Sequence, residues 1–308
     1  MRTLSLPLLR GTSWPRLSIL PAIPIAIFVA ITVAAIFAPL VAPFDPLEPV
    51  LATDAQCQAA YRAAFPNCYI KDDPPFFIEG SILGTALGTD YAGRDILSRL
   101  IYGARLSLII SFGGTLIAGA IGSLLGLIAG YFGSIWREII MRVTDAWQTL
   151  PPLIFAILLS TLSGPGVANI ILVLAIVFWS SYARLVCAEV MTLKERDYVK
   201  LAEITGVSLG RILFRHLLPN VLNTIVVYFS LIVGIAVMIE ASLSFLGVGM
   251  PPPQPAWGLM IAQERDALLE GKWWLVAWPG ICIMLLVLSA NMIGDWLRVK
   301  LDPHLRNL

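Results

Sequence analysis

Apolar residues run along this chain in long, nearly unbroken stretches separated by short polar segments. They do not show the sparse 3.6- or 2-residue spacing of a half-buried helix or strand. About six such stretches occur, over residues 19–41, 103–129, 139–162, 168–188, 221–246 and 275–297. Each reaches the roughly 20 residues that a helix needs to cross a hydrocarbon core of about 30 Å. Lipid cannot satisfy backbone N–H and C=O groups, so the expected fold is an all-α polytopic membrane protein with about six transmembrane helices. The first stretch is too long for a signal-peptide core and reads as an uncleaved anchor.

Composition supports this reading and removes others. Only 13% of the 308 residues are charged and 58% are hydrophobic, against roughly a quarter charged in a soluble domain. A net charge of +1 supplies no basic field for nucleic acid. Lys and Arg set the orientation, because they are retained on the cytoplasmic side. They crowd the N-terminal residues 1–18, the segment from Arg184 through Lys194, Arg196, Lys200 and Arg211 to Arg215, and the tail 298–308. Both termini are therefore expected in the cytoplasm. Residues 42–102 become an extracytoplasmic loop carrying an interfacial helix. Residues 103–297 become a five-helix core with a cytoplasmic loop at 191–219.

Four segments carry more than hydropathy. In the second stretch Gly114, Ala118, Gly122, Gly126 and Gly130 recur every four residues, a ridge of small residues against which another helix can pack closely. Ahead of it, Thr89 or Asp90 is a candidate cap for a short amphipathic helix containing Ile96, Leu97, Leu100 and Ile101, with Arg94 and Arg99 on its wet face. In the inner loop, Tyr198, Leu201, Ala202 and Thr205 share one helical face, Lys200 and Glu203 lie on another, and Gly206 is placed as a stop. A second short helix is expected from Leu209 to Leu217, after which Pro219 opens the fifth span. The Gly- and Pro-rich run after that span, residues 242–258, requires surrounding protein or a water-filled cavity if it lies at membrane depth.

Isolated charges and thiols complete the inventory. Glu240 is an acid within an apolar run and a candidate for a pathway or for the membrane rim. Asp145 and Asp295 are expected to pair with Arg142 and Arg298. Of four cysteines, Cys57 and Cys68 fall in the outer loop. A bridge between them would stabilise that loop by roughly 2–3 kcal/mol in an oxidising compartment.

Several blocks, in order, resemble the inner-membrane permease subunits of ATP-driven (ABC) importers for dipeptides, oligopeptides and nickel. They are FAPLVAPFDP at 37–46, LGTDYAGRDILSRLIYGARLSL at 87–108, GLIAGYFG ending at Gly133, the inner loop, LSFLGVGMPPPQPAWG at 243–258 and GDWLRVKLDP at 294–303. The chain looks most like the C-type member of a heterodimeric pair. The resemblance implies the ABC importer permease fold in a bacterial inner membrane. Its implied partners are a second homologous permease, one or two cytoplasmic ATPases and an extracytoplasmic substrate-binding protein, and its implied substrate is a di- or oligopeptide or a nickel chelate. It also implies that the inner loop is the coupling helix that docks on an ATPase. This chain departs from the family motif there, with Lys200 in place of the usual Glu and Leu201 in place of the first Ala, and Glu203 supplies an acid one turn later.

Other classes fare worse. A secondary transporter would show mid-membrane charges or broken helices in matching repeats. A membrane enzyme would need a constellation of acids, bases or metal ligands, and the chain's histidines, His216 and His304, stand apart from any Cys/His cluster. No G-x-x-x-x-G-K-[ST] phosphate loop occurs, so the chain is expected to bind no cofactor and to leave ATP to its partners.

Overall fold

A computed structural model describes residues 22–53, 55–56 and 68–301. Among them the ordered elements are helical, with isolated bridges and no strand. The helices are α1 (Ala22–Ile36), α2 (Ile96–Phe132), α3 (Ser134–Gln148), α4 (Pro152–Ser163), α5 (Val167–Lys194), α6 (Asp197–Ile204), α7 (Leu218–Phe245), α8 (Trp257–Glu264) and α9 (Trp274–Leu301). Among the described residues α2, α5, the continuous run Leu209–Phe245 and α9 are long and apolar enough to cross a membrane, and the bent pair α3–α4 makes a fifth span. With the shorter apolar α1 this accords with about six apolar stretches.

The core is built on α2 and α5. Asp95, and not Thr89 or Asp90, caps α2: its carboxylate accepts from the Ser98 N–H at 2.7 Å. From there the helix runs 37 residues without a break, so the expected interfacial helix is simply its first turns. The small-residue ridge faces α5 in the same chain. A Cβ on Gly114 would lie 2.6 Å from that of Leu174, one on Gly126 2.7 Å from the Ala183 carbonyl, and one on Gly130 2.7 Å from the Val190 Cβ. Gly122 lies against the Trp179 carbonyl and Ala118 is fully buried. Backbones this close gain dispersion and exclude lipid along about five turns.

The third apolar stretch is not a straight span. It breaks between α3 and α4, which meet at 89°. Pro151 and Pro152 are the cause, since each disfavours helical geometry in the residue before it. The amphipathic α3 stays outside the core with only Thr144 buried. It is pinned to α5 by the Trp147 indole, which donates to the Ile176 carbonyl at 2.7 Å, and by Arg184, 2.6 Å from Asp145. Arg184 therefore takes the place expected for Arg142, which sits 3.8 Å from Glu138. Among the described residues no ion pair joins Asp295 to Arg298.

The second short inner helix is likewise not separate. A turn at Leu209–Arg211 and a π-helical segment at Ile212–Leu217 lead directly into α7. Pro219 has no N–H and its ring crowds the carbonyl four residues back, and the wider π turn relieves both conflicts.

Arg94 and Arg99, expected on a wet face, are buried. Arg94 lies 2.8 Å and Arg99 3.4 Å from the Asp90 carboxylate, and Arg99 also donates to the Pro46 carbonyl at 3.0 Å. Paired charges tolerate burial that single ones do not. Beside them Glu264 accepts the Tyr91 N–H at 2.9 Å. Burial, reinforced by Asp90 and Asp72 against the smaller pulls of the Tyr91 N–H and Arg94, pushes the Glu264 carboxyl up to about 7. A carboxyl with a raised folded-state pKa binds more protons folded than unfolded, so the stability it contributes is lost as pH rises from about 4.5 through 7. A melting series across that range should show a falling midpoint that Glu264→Gln flattens. An equal slope in the variant would assign the dependence elsewhere.

The Gly/Pro run after α7 is enclosed by protein. Met250 and Ala256 are buried, and Trp257, 1% exposed, donates from its indole to the Leu100 carbonyl at 3.0 Å and lies against Gly103. It is a core residue. Cys68 is disulfide-bonded; Cys57, the expected other half, lies outside the described residues.

Candidate functional site

The inner loop forms a compact projection. Helix α6 ends in a complete Schellman motif: the Gly206 N–H bonds the Glu203 carbonyl at 3.1 Å and the Val207 N–H bonds the Ala202 carbonyl at 3.0 Å. Gly206 sits at φ +73°, which a Cβ would strain. Val199 and Ala202 face inward onto Ile212, Leu213 and Leu217. At the start of the loop, the Lys194 ammonium donates to the Tyr131 carbonyl at 2.7 Å and lies 5.3 Å from that ring. The lysine thus ties the end of α5, from which α6 departs, to the end of α2.

The outward face is apolar. Tyr198 is 42% exposed, Leu201 62% and Ile204 83%. Phe214, from the π segment, is also exposed. Large apolar side chains grouped on a polar-rimmed, rigid element mark a surface that is covered in use. The structure thus separates the residues expected on one face. Tyr198, Leu201 and Thr205 point out, while Ala202 belongs to the core, because the 100° step per residue places it with Val199. Ile204, three after Leu201, was legible from the same spacing and was missed. Lys200, which stands where the family has Glu, pairs with Glu195 at 2.9 Å. Their mutual hydrogen bond holds the Glu195 carboxyl below and the Lys200 ammonium above their ordinary ranges. Both are exposed, so the pair adds little stability. Glu203 and Pro219 are exposed on the flanks.

Glu240 is buried among side chains of its own chain. It is 0% exposed and accepts from the Ser107 hydroxyl at 2.9 Å and the Ser244 hydroxyl at 3.0 Å. Ser244 in turn accepts the Met250 N–H at 3.2 Å. The acid therefore ties α2, α7 and the following loop together. Glu240→Gln keeps a carbonyl acceptor for one hydroxyl and offers the other serine oxygen an N–H donor, so both contacts can be satisfied and the melting midpoint should be nearly unchanged. Glu240→Ala orphans both and opens a cavity, at a cost of about 2–4 kcal/mol. Equal midpoints for the two variants would remove that structural role.

A cavity of about 520 Å³ opens among the C-terminal ends of α5 and α9 and the N-terminal half of α7. It is lined by Glu189, Asn223, Thr224, Tyr228 and Arg298 among others. Glu189 accepts from the Thr224 hydroxyl at 3.0 Å. It is a half-open concavity of mixed polar and apolar walls that the sequence alone did not single out.

A bundle of broken and continuous apolar spans with a rigid projecting helix fits the permease class of membrane transporter. The match to a family model confirms the class: residues 122–307 fit the binding-protein-dependent transport system inner membrane component, and the chain belongs to that family. The di/tripeptide transport system permease protein DppC of Pseudomonas aeruginosa is 41% identical over 277 residues, covering 90% of this chain and 86% of that protein. The dipeptide transport system permease protein DppC of Haemophilus influenzae is 38% identical, covering 90% of this chain and 88% of that one. Among solved structures, the inward-facing MetNI methionine ABC transporter superposes with a TM-score of 0.52 over 67% of this chain and 98% of that chain. At 15% identity that likeness shows the fold alone.

Proposed function

We propose that this chain is one of two permease subunits of an ATP-driven importer of di- or oligopeptides, with both termini in the cytoplasm. It pairs with a second homologous permease to form the translocation path. One or two cytoplasmic ATPases dock on α6, and an extracytoplasmic binding protein delivers substrate. The chain itself binds no nucleotide and catalyses nothing; ATP is consumed by its partners. The observation that carries this reading is the exposed Tyr198–Leu201–Ile204 face on a helix stopped by Gly206 and clamped through Lys194. The peptide class rests on the relatives, which are di- and tripeptide transport permeases by name. The cavity at Glu189 and Arg298 is consistent with a solute bearing both charges.

Purification of the tagged chain from membranes in mild detergent tests the assembly. Recovery of a second permease together with an ATPase whose activity rises on adding binding protein and dipeptide is the expected result. A lone oligomer without ATPase, stable across detergents, would overturn it. Radiolabelled dipeptide uptake into vesicles holding the complex then tests the substrate, with a nickel chelate as the competing solute.

A further inference from the structure

We propose that the groove between α1 and α2 binds one anionic phospholipid of the leaflet that contains the N-terminal half of α2, with Arg105 taking its phosphate. The groove encloses about 430 Å³. On α2 it is lined by Arg105, Leu108, Ile109 and Phe112, spaced three, four and seven residues from the first and so on one stripe of the helix. Opposite, on α1, stand Phe28, Thr32 and Ala35. The Phe28 and Phe112 rings, 6.1 Å apart, close its deep end.

Charge identifies the occupant. Arg105 is exposed, and among the described residues it makes no ion pair or hydrogen bond. Arg94, Arg99 and Arg184 have Asp90 or Asp145 beside them. An unpartnered guanidinium on a membrane-spanning helix is costly unless it reaches an anion at headgroup level. Its planar fork of donors matches a phosphate. The one hydroxyl in the groove, Thr32, already donates to the Phe28 carbonyl at 2.8 Å, so the walls below Arg105 present no free donor to a peptide backbone. An acyl chain needs none. From Arg105 to Phe112 the groove descends about 10 Å of the roughly 15 Å of hydrocarbon in one leaflet, enough to hold the upper part of a chain. Helix α1 packs on α2 and α9, at the edge of the bundle where lipid has access.

The test is native mass spectrometry of the delipidated complex titrated with phosphatidylglycerol, and separately with phosphatidylcholine. One phosphatidylglycerol should be retained at energies that strip phosphatidylcholine. Arg105→Gln should weaken that retention by about tenfold or more. Ile109→Trp, which fills the groove and keeps the cation, should do the same, while Arg265→Gln should not. Undiminished retention in Arg105→Gln would overturn the proposal, as would equal retention of the two lipids. So would an efficient cross-link from a cysteine at position 105 to the second permease, which would give the groove to protein.

Discussion

Leu201→Asp is expected to abolish ATP-driven uptake by the assembled complex while the chain remains folded in the membrane. Leu201 is 62% exposed at the centre of the outward face of α6, between Tyr198 and Ile204. A carboxylate there meets water in the free permease and costs the fold little. In a docked complex it would be desolvated without a partner. Central apolar anchors are worth about 2 kcal/mol or more, roughly a 30-fold loss of docking, and an unpaired buried charge adds to this. The matched control is Val199→Asp. Val199 is fully buried against the π segment, so this change should lower the yield of folded protein itself. ATPase co-purification and uptake, measured beside the melting midpoint, separate the two. Normal uptake by Leu201→Asp would remove α6 from the coupling path. Ala202→Asp cannot make this distinction, because Ala202 shares the core with Val199.

The second large effect is steric. Gly126→Leu should prevent α2 and α5 from closing, and the protein should be lost to aggregation on extraction. A Cβ at 126 falls 2.7 Å from the Ala183 carbonyl and 2.8 Å from the Val186 Cβ, and neither can retreat without moving helix α5. The branched remainder has nowhere to go, and overpacking of this kind costs at least about 3 kcal/mol. Gly113→Ala, on the same helix, meets only the tip of Ile171, at 3.3 Å, and should be tolerated. Size-exclusion profiles in mild detergent would show it: a monodisperse Gly126→Leu protein with a normal midpoint would mean that the ridge is not a closely packed contact.

The parts of the fold that were legible in the sequence are those where one local pattern admits one packing solution. Residues of one size class every four positions, from Gly114 to Gly130, can only form a smooth helix face. A glycine following an amphipathic octet, at Gly206, can only end it. What failed did so for non-local reasons. Arg94 and Arg99 read as solvated because nothing near them in sequence announces that Asp90 shares their burial, or that Pro46 turns its carbonyl to Arg99. The serine partners of Glu240 were not legible because one of them, Ser107, lies more than 100 residues away. The burial of Trp257 was not legible because the space above Gly103 that receives its ring is made by another helix. The break in the third span is a different kind of miss. Pro151 and Pro152 stood in plain view, but mean hydropathy averages across a kink.

The length of α2 sets a mechanical scale. At 37 residues it measures about 55 Å, almost twice the hydrocarbon thickness it crosses. One end is bolted through Arg99 to Asp90 and the other, beside Tyr131, to the root of α6. Welded to α5 by absent side chains, it has the stiffness of a plank rather than a rod. A tilt of about 10° applied at its inner foot displaces the far end by roughly 10 Å, wider than a peptide backbone. In the proposed complex, work done on α6 would reach the far side of the bilayer by leverage, with no relay of small rearrangements between.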